Sequence, residues 1–326
     1  MNGYTIREME ERDHTPARAA WNSVATRSLG VHARTSDEWD WCYRDNPAGR
    51  RAFVAEHDGD VVALYAAVPV KTWIDGETAV FARIVDSLVL PEHRSGLKRK
   101  GLFVGVGRAF FERFGSEGTV FFGWPEDAQW RIGERFLGYT PLRHELLLAT
   151  EIAMEAQAFP SAVERLERFD DSVHELFERC ARSYGAATVR DAAYLNWRTV
   201  ERPSTVYRRF GVRDERGGLL GVAIQRTCVF MGEERSVLVD WMVPHEEEVA
   251  AEVLLEALLA TTAQDGMALL CGIVPTWSAW FEWFQTRGFT AHATDFVIGG
   301  RSFRPRQGVE WLRERWWYQL SDSDLA

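Results

Sequence analysis

Residues 81–114 read FARIVDSLVLPEHRSGLKRKGLFVGVGRAFFERF, and this stretch decides the fold. Its beginning is rich in β-branched and aliphatic side chains, which predicts a buried strand that ends at Pro91. Its end predicts a helix that starts after Gly101. The loop between the strand and the helix contains Gly96 and four cations, which are Arg94, Lys98, Arg99 and Lys100.

This loop has the physical properties of an anion site. Glycines let backbone N–H groups converge on one point, and a helix N-terminus adds a favourable dipole. The four cations add positive charge, so a pyrophosphate group fits this environment. The alternative is that a basic, glycine-containing turn before a helix is simply solvated surface, because a glycine-rich match alone is a weak signal.

The landmarks of the N-terminal half recur in the C-terminal half. Trp41 precedes Pro47 by six positions, and Trp197 precedes Pro203 by the same number. Each half continues through a hairpin, a second turn, a β-prone run, a helix, a short strand and an aromatic helix. The turns are predicted at Asp58-Gly59, Asp75-Gly76, Arg216-Gly217-Gly218 and Met231-Gly232-Glu233. The common order predicts two copies of one α/β unit.

This order of elements resembles the layout of GNAT-type N-acyltransferases. The family carries V-x-P-x-x-R-x-x-G-x-G/A between its long strand and the next helix, and Val89, Pro91 and Arg94 match that pattern in register. Gly96 arrives early, and residues 99–103 offer a second Arg-x-Gly helix start, so the loop is lengthened by about four residues relative to the pattern.

The resemblance implies an α/β (α+β) fold with two GNAT-like units in tandem, at residues 1–150 and 151–326. Each unit is expected to be a mixed, mostly antiparallel twisted sheet flanked by helices. The resemblance further implies that acyl-CoA binds in the N-terminal unit. The residues that match its site are Leu88, Val89, Leu90, Arg94, Gly96, Lys98, Arg99, Lys100, Gly101 and Leu102.

In the family, the strand before the loop splays from its neighbour and pairs through its main chain with the pantetheine arm. Leu88, Val89 and Leu90 hold those positions, and one of their amides is expected to polarise the thioester carbonyl. Amine acylation also needs a base, for which Asp86 is the candidate. The alternative is a structural Asp86 satisfied by the backbone or by an arginine such as Arg83, because Asp240 recurs at the equivalent position.

The family often places a tyrosine acid four positions before the glycine of the closing Gly-aromatic pair. That position is Glu134 here, so the chain departs from the pattern. Protonation of the departing thiolate is left to Glu134, to Tyr139 or to water.

The C-terminal half lacks the cations of the loop. Its equivalent segment reads MVPHEEEVAAEVLLEALL, with three consecutive glutamates. Carboxylates repel a pyrophosphate, whereas a helix N-terminus accommodates its own acidic residues. We therefore expect the second unit to have no cofactor site, and we expect the aromatic tail to cap its sheet or to lie in the groove between the two units.

Composition narrows the classes of partner. The formal net charge of −10 repels nucleic acid and anionic lipid at long range. The four cysteines have no C-x-x-C spacing, the histidines show no metal-binding motif, and no signal peptide or membrane span is recognised. We expect a cytoplasmic protein with free thiols, no metal, no nucleic acid partner and no membrane partner.

The resemblance implies transfer of an acyl group, from acetyl-CoA or another acyl-CoA, to the primary amine of a small molecule. One alternative is a catalytically inactive acyl-CoA binder or scaffold that keeps the tandem GNAT shape. Another is an aminoacyl or peptidyl transferase that uses charged tRNA, which the acidic net charge disfavours. The sequence leaves a homodimer open.

Overall fold

The computed structural model describes residues 3–25, 33–94, 101–125, 127–152 and 158–325. The chain divides into two compact units. The first unit comprises Met1–Lys71, Ala79–Arg143 and Val297–Trp311, and the second unit comprises Thr72–Thr78, His144–Phe296 and Leu312–Ala326. Each unit is therefore discontinuous in sequence, and the division of functional domains between residues 150 and 151 stays a prediction.

The part of the chain that the structure describes forms fourteen strands and nine α-helices. The strands are β1 (Thr5–Glu8), β2 (Arg51–His57), β3 (Asp60–Ile74), β4 (Glu77–Val89), β5 (Val120–Gly123), β6 (Thr140–Glu151), β7 (Glu164–Arg165), β8 (Ala186–Thr188), β9 (Arg208–Arg213), β10 (Leu219–Phe230), β11 (Glu233–Met242), β12 (Leu269–Gly272), β13 (Thr290–Ser302) and β14 (Trp316–Trp317). The helices are α1 (His14–Val24), α2 (Ser36–Tyr43), α3 (Leu102–Gly115), α4 (Asp127–Ile132), α5 (Ser172–Ala181), α6 (Ala192–Thr199), α7 (Glu248–Gln264), α8 (Ala279–Gln285) and α9 (Val309–Arg313).

The first unit has a mixed sheet in the order β1-β2-β3-β4-β5, followed by the end of β13. β1 pairs with β2, and β2 with β3, in antiparallel register. β4 and β5 are parallel, as expected for two strands joined by a helical crossover, which here contains α3. Residues 299–302 of β13 pair antiparallel with β5.

The second unit repeats this plan. Its sheet has the order β6-β12-β11-β10-β9-β7, and β11 and β12 form the parallel pair on either side of α7. The pairs β10–β11, β10–β9 and β12–β6 are antiparallel. β8 pairs with β14 and with residues 72–74 of β3. The predicted fold class, with mixed and mostly antiparallel sheets flanked by helices, is confirmed.

The turn chemistry predicted from sequence is confirmed at three tight turns. Hairpins favour turns in which both central residues have positive φ, because that backbone twist matches the twist of the strands. The φ angles are 51° and 91° at Asp58-Gly59, 52° and 84° at Asp75-Gly76, and 55° and 82° at Met231-Gly232.

An aromatic core holds α3 against the sheet of the first unit. Phe110, Phe111 and Phe114 on α3 are almost completely buried against Phe121 of β5 and Tyr65 of β3. Their rings lie in edge-to-face or tilted pairs, such as Phe110 and Phe121 with centroids 5.2 Å apart. This packing fixes the N-terminus of α3, and with it the end of the candidate loop. Within the described residues, no helix combines the length and apolarity needed to cross a bilayer.

Candidate functional site

Strand β4 continues past the end of its ladder with β5. The parallel pairing ends at Arg83 and Phe122, whereas β4 extends to Val89. β5 ends in Gly123, at which a Cβ would lie 3.1 Å from the carbonyl oxygen of Ile84, so the two strands are still close at this point. Residues 84–89 thus have an edge beyond the described ladder, and the splaying of β4 from its neighbour that the family resemblance implies stays a prediction. We call this the open edge of β4.

The end of β4 shows which main-chain groups face the open edge. The N–H of Leu90 donates to the carbonyl of Val62 on β3 at 2.9 Å. In a trans peptide the preceding carbonyl points the opposite way, so the carbonyl of Val89 faces the open edge, where it accepts from Nε of Arg94 at 2.8 Å. The structure therefore corrects the prediction for Leu90, because its amide is turned toward β3.

Two residues earlier in β4, the main-chain groups alternate between the two sides of the strand in the same way. The carbonyl of Ser87 accepts from Nε2 of Gln129 on α4 at 3.3 Å, so it faces the open edge and the N–H of Leu88 points toward β3. A strand residue directs its N–H and C=O to the same side. The open edge therefore presents the main chain of Ser87 and Val89. The prediction for Leu88 is thus corrected in the same way as that for Leu90, while Val89 was predicted from the sequence and Ser87 was not.

Asp86 bends β4 just before these groups. It has φ of +49°, which is unusual for a residue other than glycine, and its side chain is only 2% exposed. Oδ1 lies 2.9 Å from Nη2 of Arg34, and Oδ2 accepts a 2.6 Å hydrogen bond from the hydroxyl of Tyr43. Both carboxylate oxygens are thus engaged by groups at the two ends of α2. This favours the structural alternative for Asp86 over the role of general base.

The second unit repeats this arginine–aspartate pair. Nε of Arg190 lies 3.1 Å from Oδ2 of Asp240, and both side chains are at most 3% exposed. Each arginine directly precedes the N-cap of an eight-residue helix, which is α2 after Thr35 or α6 after Asp191. The two N-caps are as far apart in sequence as Trp41 and Trp197, so the internal repeat could have revealed both arginines.

The cofactor loop is described only at its two ends. Gly96, Lys98, Arg99 and Lys100 lie outside the described residues. Arg94 is exposed, and Gly101 forms the extended N-cap of α3 with φ of −80°. Leu102 opens α3 and is buried. The first turn of α3 carries no acidic residue, so its dipole is left to favour an anionic ligand.

The two acid candidates lie in different environments. Glu134 is exposed on a π-helical turn, Gly133–Leu137. Tyr139 is buried, and its hydroxyl forms a short hydrogen bond with the hydroxyl of Tyr65. Burial raises the pKa of both tyrosines above the usual value, so the two phenols stay protonated at neutral pH. Tyr139 is therefore part of the aromatic core, and Glu134 is the candidate that solvent reaches.

Gly133 makes room for Tyr139. A Cβ at Gly133 would lie 2.1 Å from Cδ2 of Tyr139. We expect Gly133→Ala to lower the free energy of unfolding by about 2–3 kcal/mol, because the ring must leave its position against Tyr65. Gly308 is the matched control, since a Cβ there meets nothing within 4 Å. Urea unfolding of both variants tests this, and equal stabilities would contradict it.

In the second unit, the edge of β11 beyond its ladder with β12 is covered by the tail of the chain. The ladder ends at Leu238 and Gly272. The N–H of Trp241, which corresponds to Ser87, donates to Oε1 of Gln319 at 2.5 Å. Gln319 is 1% exposed. Residues 319–323 thus take the place that acyl-CoA is expected to take in the first unit, which gives a second reason to expect no cofactor site in the second unit.

No protein-family model and no curated protein matches this chain. Several solved structures, in contrast, are similar to this chain. A protein of Enterococcus faecalis V583 described as "Probable N-Acyltransferase" has a TM-score of 0.69 at 12% identity, over 95% of this chain and 74% of its own. A GCN5-related N-acetyltransferase of Anabaena variabilis ATCC 29413 has a TM-score of 0.64 at 12% identity, over 92% and 73%.

A third similar structure is the N-myristoyltransferase of Saccharomyces cerevisiae with bound myristoyl-CoA. Its TM-score is 0.59 at 11% identity, over 92% of this chain and 82% of that one. These likenesses extend over nearly the whole chain, so they include both units. The expected tandem GNAT fold is thereby confirmed.

Proposed function

With this duplicated N-acyltransferase fold as the premise, we propose that the chain is an N-acyltransferase that uses acyl-CoA. We propose acetyl-CoA as the acyl donor, a small-molecule primary amine as the acceptor and the cytoplasm as the location. The observation that carries the proposal is the open edge of β4, which presents the main chain of Ser87 and Val89 just before a cationic, glycine-containing loop.

The pantetheine arm would lie along this edge. Its amides can exchange hydrogen bonds with Ser87 and Val89, as an added strand would, and its pyrophosphate would reach the N-terminus of α3. Gln129 and Arg94 now bond the two carbonyls of this edge. Both are side chains that can turn away when a ligand amide replaces them. Acyl-CoA thus needs no change in the backbone of β4.

The reaction forms one C–N bond and breaks one C–S bond. The neutral amine attacks the thioester carbonyl, whose developing negative charge is stabilised by an N–H of the open edge. Collapse of the intermediate expels the CoA thiolate, and the proton lost by the amine balances the proton gained by the thiolate. Asp86 acts in this scheme by holding the bend of β4 that aims the amide of Ser87.

The proposal is tested by titration with acetyl-CoA and by thiol release in the presence of amines. We expect one acetyl-CoA site per chain and release of free CoA that depends on the amine. Binding without thiol release across a broad amine screen would favour the inactive binder. Absence of binding would overturn the acyltransferase proposal.

The acid candidates are distinguished by two variants. We expect Tyr139→Phe to lower the free energy of unfolding by about 1–2 kcal/mol, because the hydroxyl of Tyr65 loses a buried partner. Its kcat should change less than threefold, as about two orders of magnitude are expected only for a group that transfers the proton. Glu134→Gln should leave stability unchanged and lower kcat, because an amide cannot transfer a proton to the departing thiolate. A hundredfold loss of kcat in Tyr139→Phe would instead make Tyr139 the acid.

A further inference from the structure

The tail of the second unit shows what the repeated arginine–aspartate pair can bind. Arg190 uses Nε for Asp240, and its Nη2 lies 2.8 Å from Oδ2 of Asp322 and 3.0 Å from Oγ of Ser321. The hydroxyl of Ser321 also donates to Asp240. One guanidinium therefore joins the aspartate of the strand to a carboxylate on an incoming segment.

The same segment also occupies the neighbouring amide. Gln319 places its side-chain carbonyl on the N–H of Trp241, and Asp322, three residues later, places its carboxylate on Arg190. A carbonyl and a carboxylate are thus held side by side, one by the strand amide and the other by the guanidinium. Both contacts are fully buried within the second unit.

The first unit has the two corresponding groups, although Arg34 contacts its aspartate through Nη2 and Arg190 contacts its aspartate through Nε. Arg34 corresponds to Arg190, and the N–H of Ser87 corresponds to that of Trp241. The side chain of Arg34 is 21% exposed, whereas that of Asp86 is 2% exposed, so solvent reaches Arg34 more readily than the carboxylate. Arg34 also lies beside an aromatic ring, with Cζ 6.0 Å from the ring centre of Trp21. An anion approaching from solvent meets Arg34 first.

We infer that the acceptor is a primary amine that also carries a carboxylate, such as an amino acid, and that Arg34 binds this carboxylate. The inference rests on the proposed function. The thioester carbonyl would take the place of the Gln319 carbonyl on the N–H of Ser87, and the acceptor carboxylate the place of Asp322. The amine then lies between the two, beside the carbon that it attacks.

This arrangement also resolves a problem of charge. A chain with a formal net charge of −10 repels an anionic acceptor at long range. The partly exposed side chain of Arg34 next to the reaction centre supplies the local attraction, and a charge-assisted hydrogen bond is about twice as strong as a neutral one. The carboxylate then fixes the orientation of the amine as well as its affinity.

The test compares amino acids with their carboxamides as acceptors, with thiol release as the readout. We expect the wild-type chain to favour the carboxylate at least about tenfold in kcat/KM, which corresponds to about 1.4 kcal/mol. Arg34→Gln should raise the KM for the carboxylate acceptor about tenfold and should change the KM for the carboxamide less than about twofold. Arg34→Lys should restore part of the difference, because it keeps the charge.

Arg44→Gln is the matched control. Arg44 ends α2 but pairs with Glu11 and Asp40 on the surface, so its loss should leave both acceptors unchanged. Thermal unfolding of the Arg34 variants checks that they are folded. A second readout is binding of the N-acetylated amino acid and of its carboxamide to the CoA-loaded chain. Arg34→Gln should weaken the binding of the N-acetylated amino acid only.

The inference is overturned if both acceptors react equally well in the wild-type chain. It is also overturned if Arg34→Gln lowers both in parallel, since that result would give Arg34 only a structural role through Asp86. In either case acetyl-CoA binding and thiol release would persist, and the proposed function would stand. Absence of thiol release with every acceptor would overturn both.

Discussion

The variant Arg94→Glu, Lys98→Glu, Arg99→Glu is expected to bind acetyl-CoA about a thousandfold more weakly than the wild-type chain. A hydrogen bond to a charged group contributes about 1.5–3 kcal/mol, and loss of two or three such bonds to the pyrophosphate gives about 4 kcal/mol or more. The glutamates also repel the phosphates directly. Calorimetric titration at low and moderate salt measures the loss, which should diminish as salt screens the charges.

The control must carry the same change of net charge. Arg182, Arg216 and Arg306 are exposed and lie away from β4 and α3 in sequence. Their replacement by glutamate should leave acetyl-CoA binding within about threefold, because only charges within about 10 Å of the ligand act strongly at 0.1 M salt. Equal losses in the two triple variants would mean that the loop is not the cofactor site.

The largest loss of stability is expected from Arg190→Met. Removal of this guanidinium leaves Asp240 and Asp322 buried without the cation that bridges them. Breaking a buried ion pair by removing one partner costs about 3–5 kcal/mol. We expect that loss in the free energy of unfolding at pH 8, measured by urea denaturation. Arg182→Met, which alters an exposed arginine, is the control.

The loss of unfolding free energy in Arg190→Met should depend on pH. Burial raises the pKa of Asp240 in the wild-type chain, and Arg190 opposes that rise, so its removal raises the pKa further. A carboxyl whose pKa is higher in the folded chain than its unfolded value of about 3.9 favours the folded state when protonated. The deficit of Arg190→Met should therefore grow as pH rises above about 4 and shrink as pH falls from 8 toward 5. A deficit that is constant over this range would contradict the explanation.

The features that the sequence predicted correctly depend on residues that are neighbours along the chain. The turns at Asp58-Gly59 and Asp75-Gly76 adopt positive φ because asparagine, aspartate and glycine tolerate it at least cost. The strand through residues 81–89 and the helix from Leu102 follow from runs of side chains and from a single glycine cap. The internal repeat then linked these elements into two units.

The features that the sequence did not predict depend on residues that are distant from each other along the chain. Arg34 pairs with Asp86 from 52 positions away, and the sequence offered Arg83 only as an example of such an arginine. Leu90 was predicted to face the ligand, yet its amide is turned to β3. The direction of an amide depends on strand register, which a pattern of residue types does not encode.

By itself, the sequence determined the tandem α/β plan, the turns and the cationic loop, because these depend on neighbouring residues and on a repeat that can be read directly. Only the tertiary structure decided which amides of β4 face its open edge, which arginine engages Asp86, and that residues 319–323 cover the edge of β11. Each of these depends on groups that are far apart in the chain and are brought within hydrogen-bond distance by packing, so no local pattern carries them.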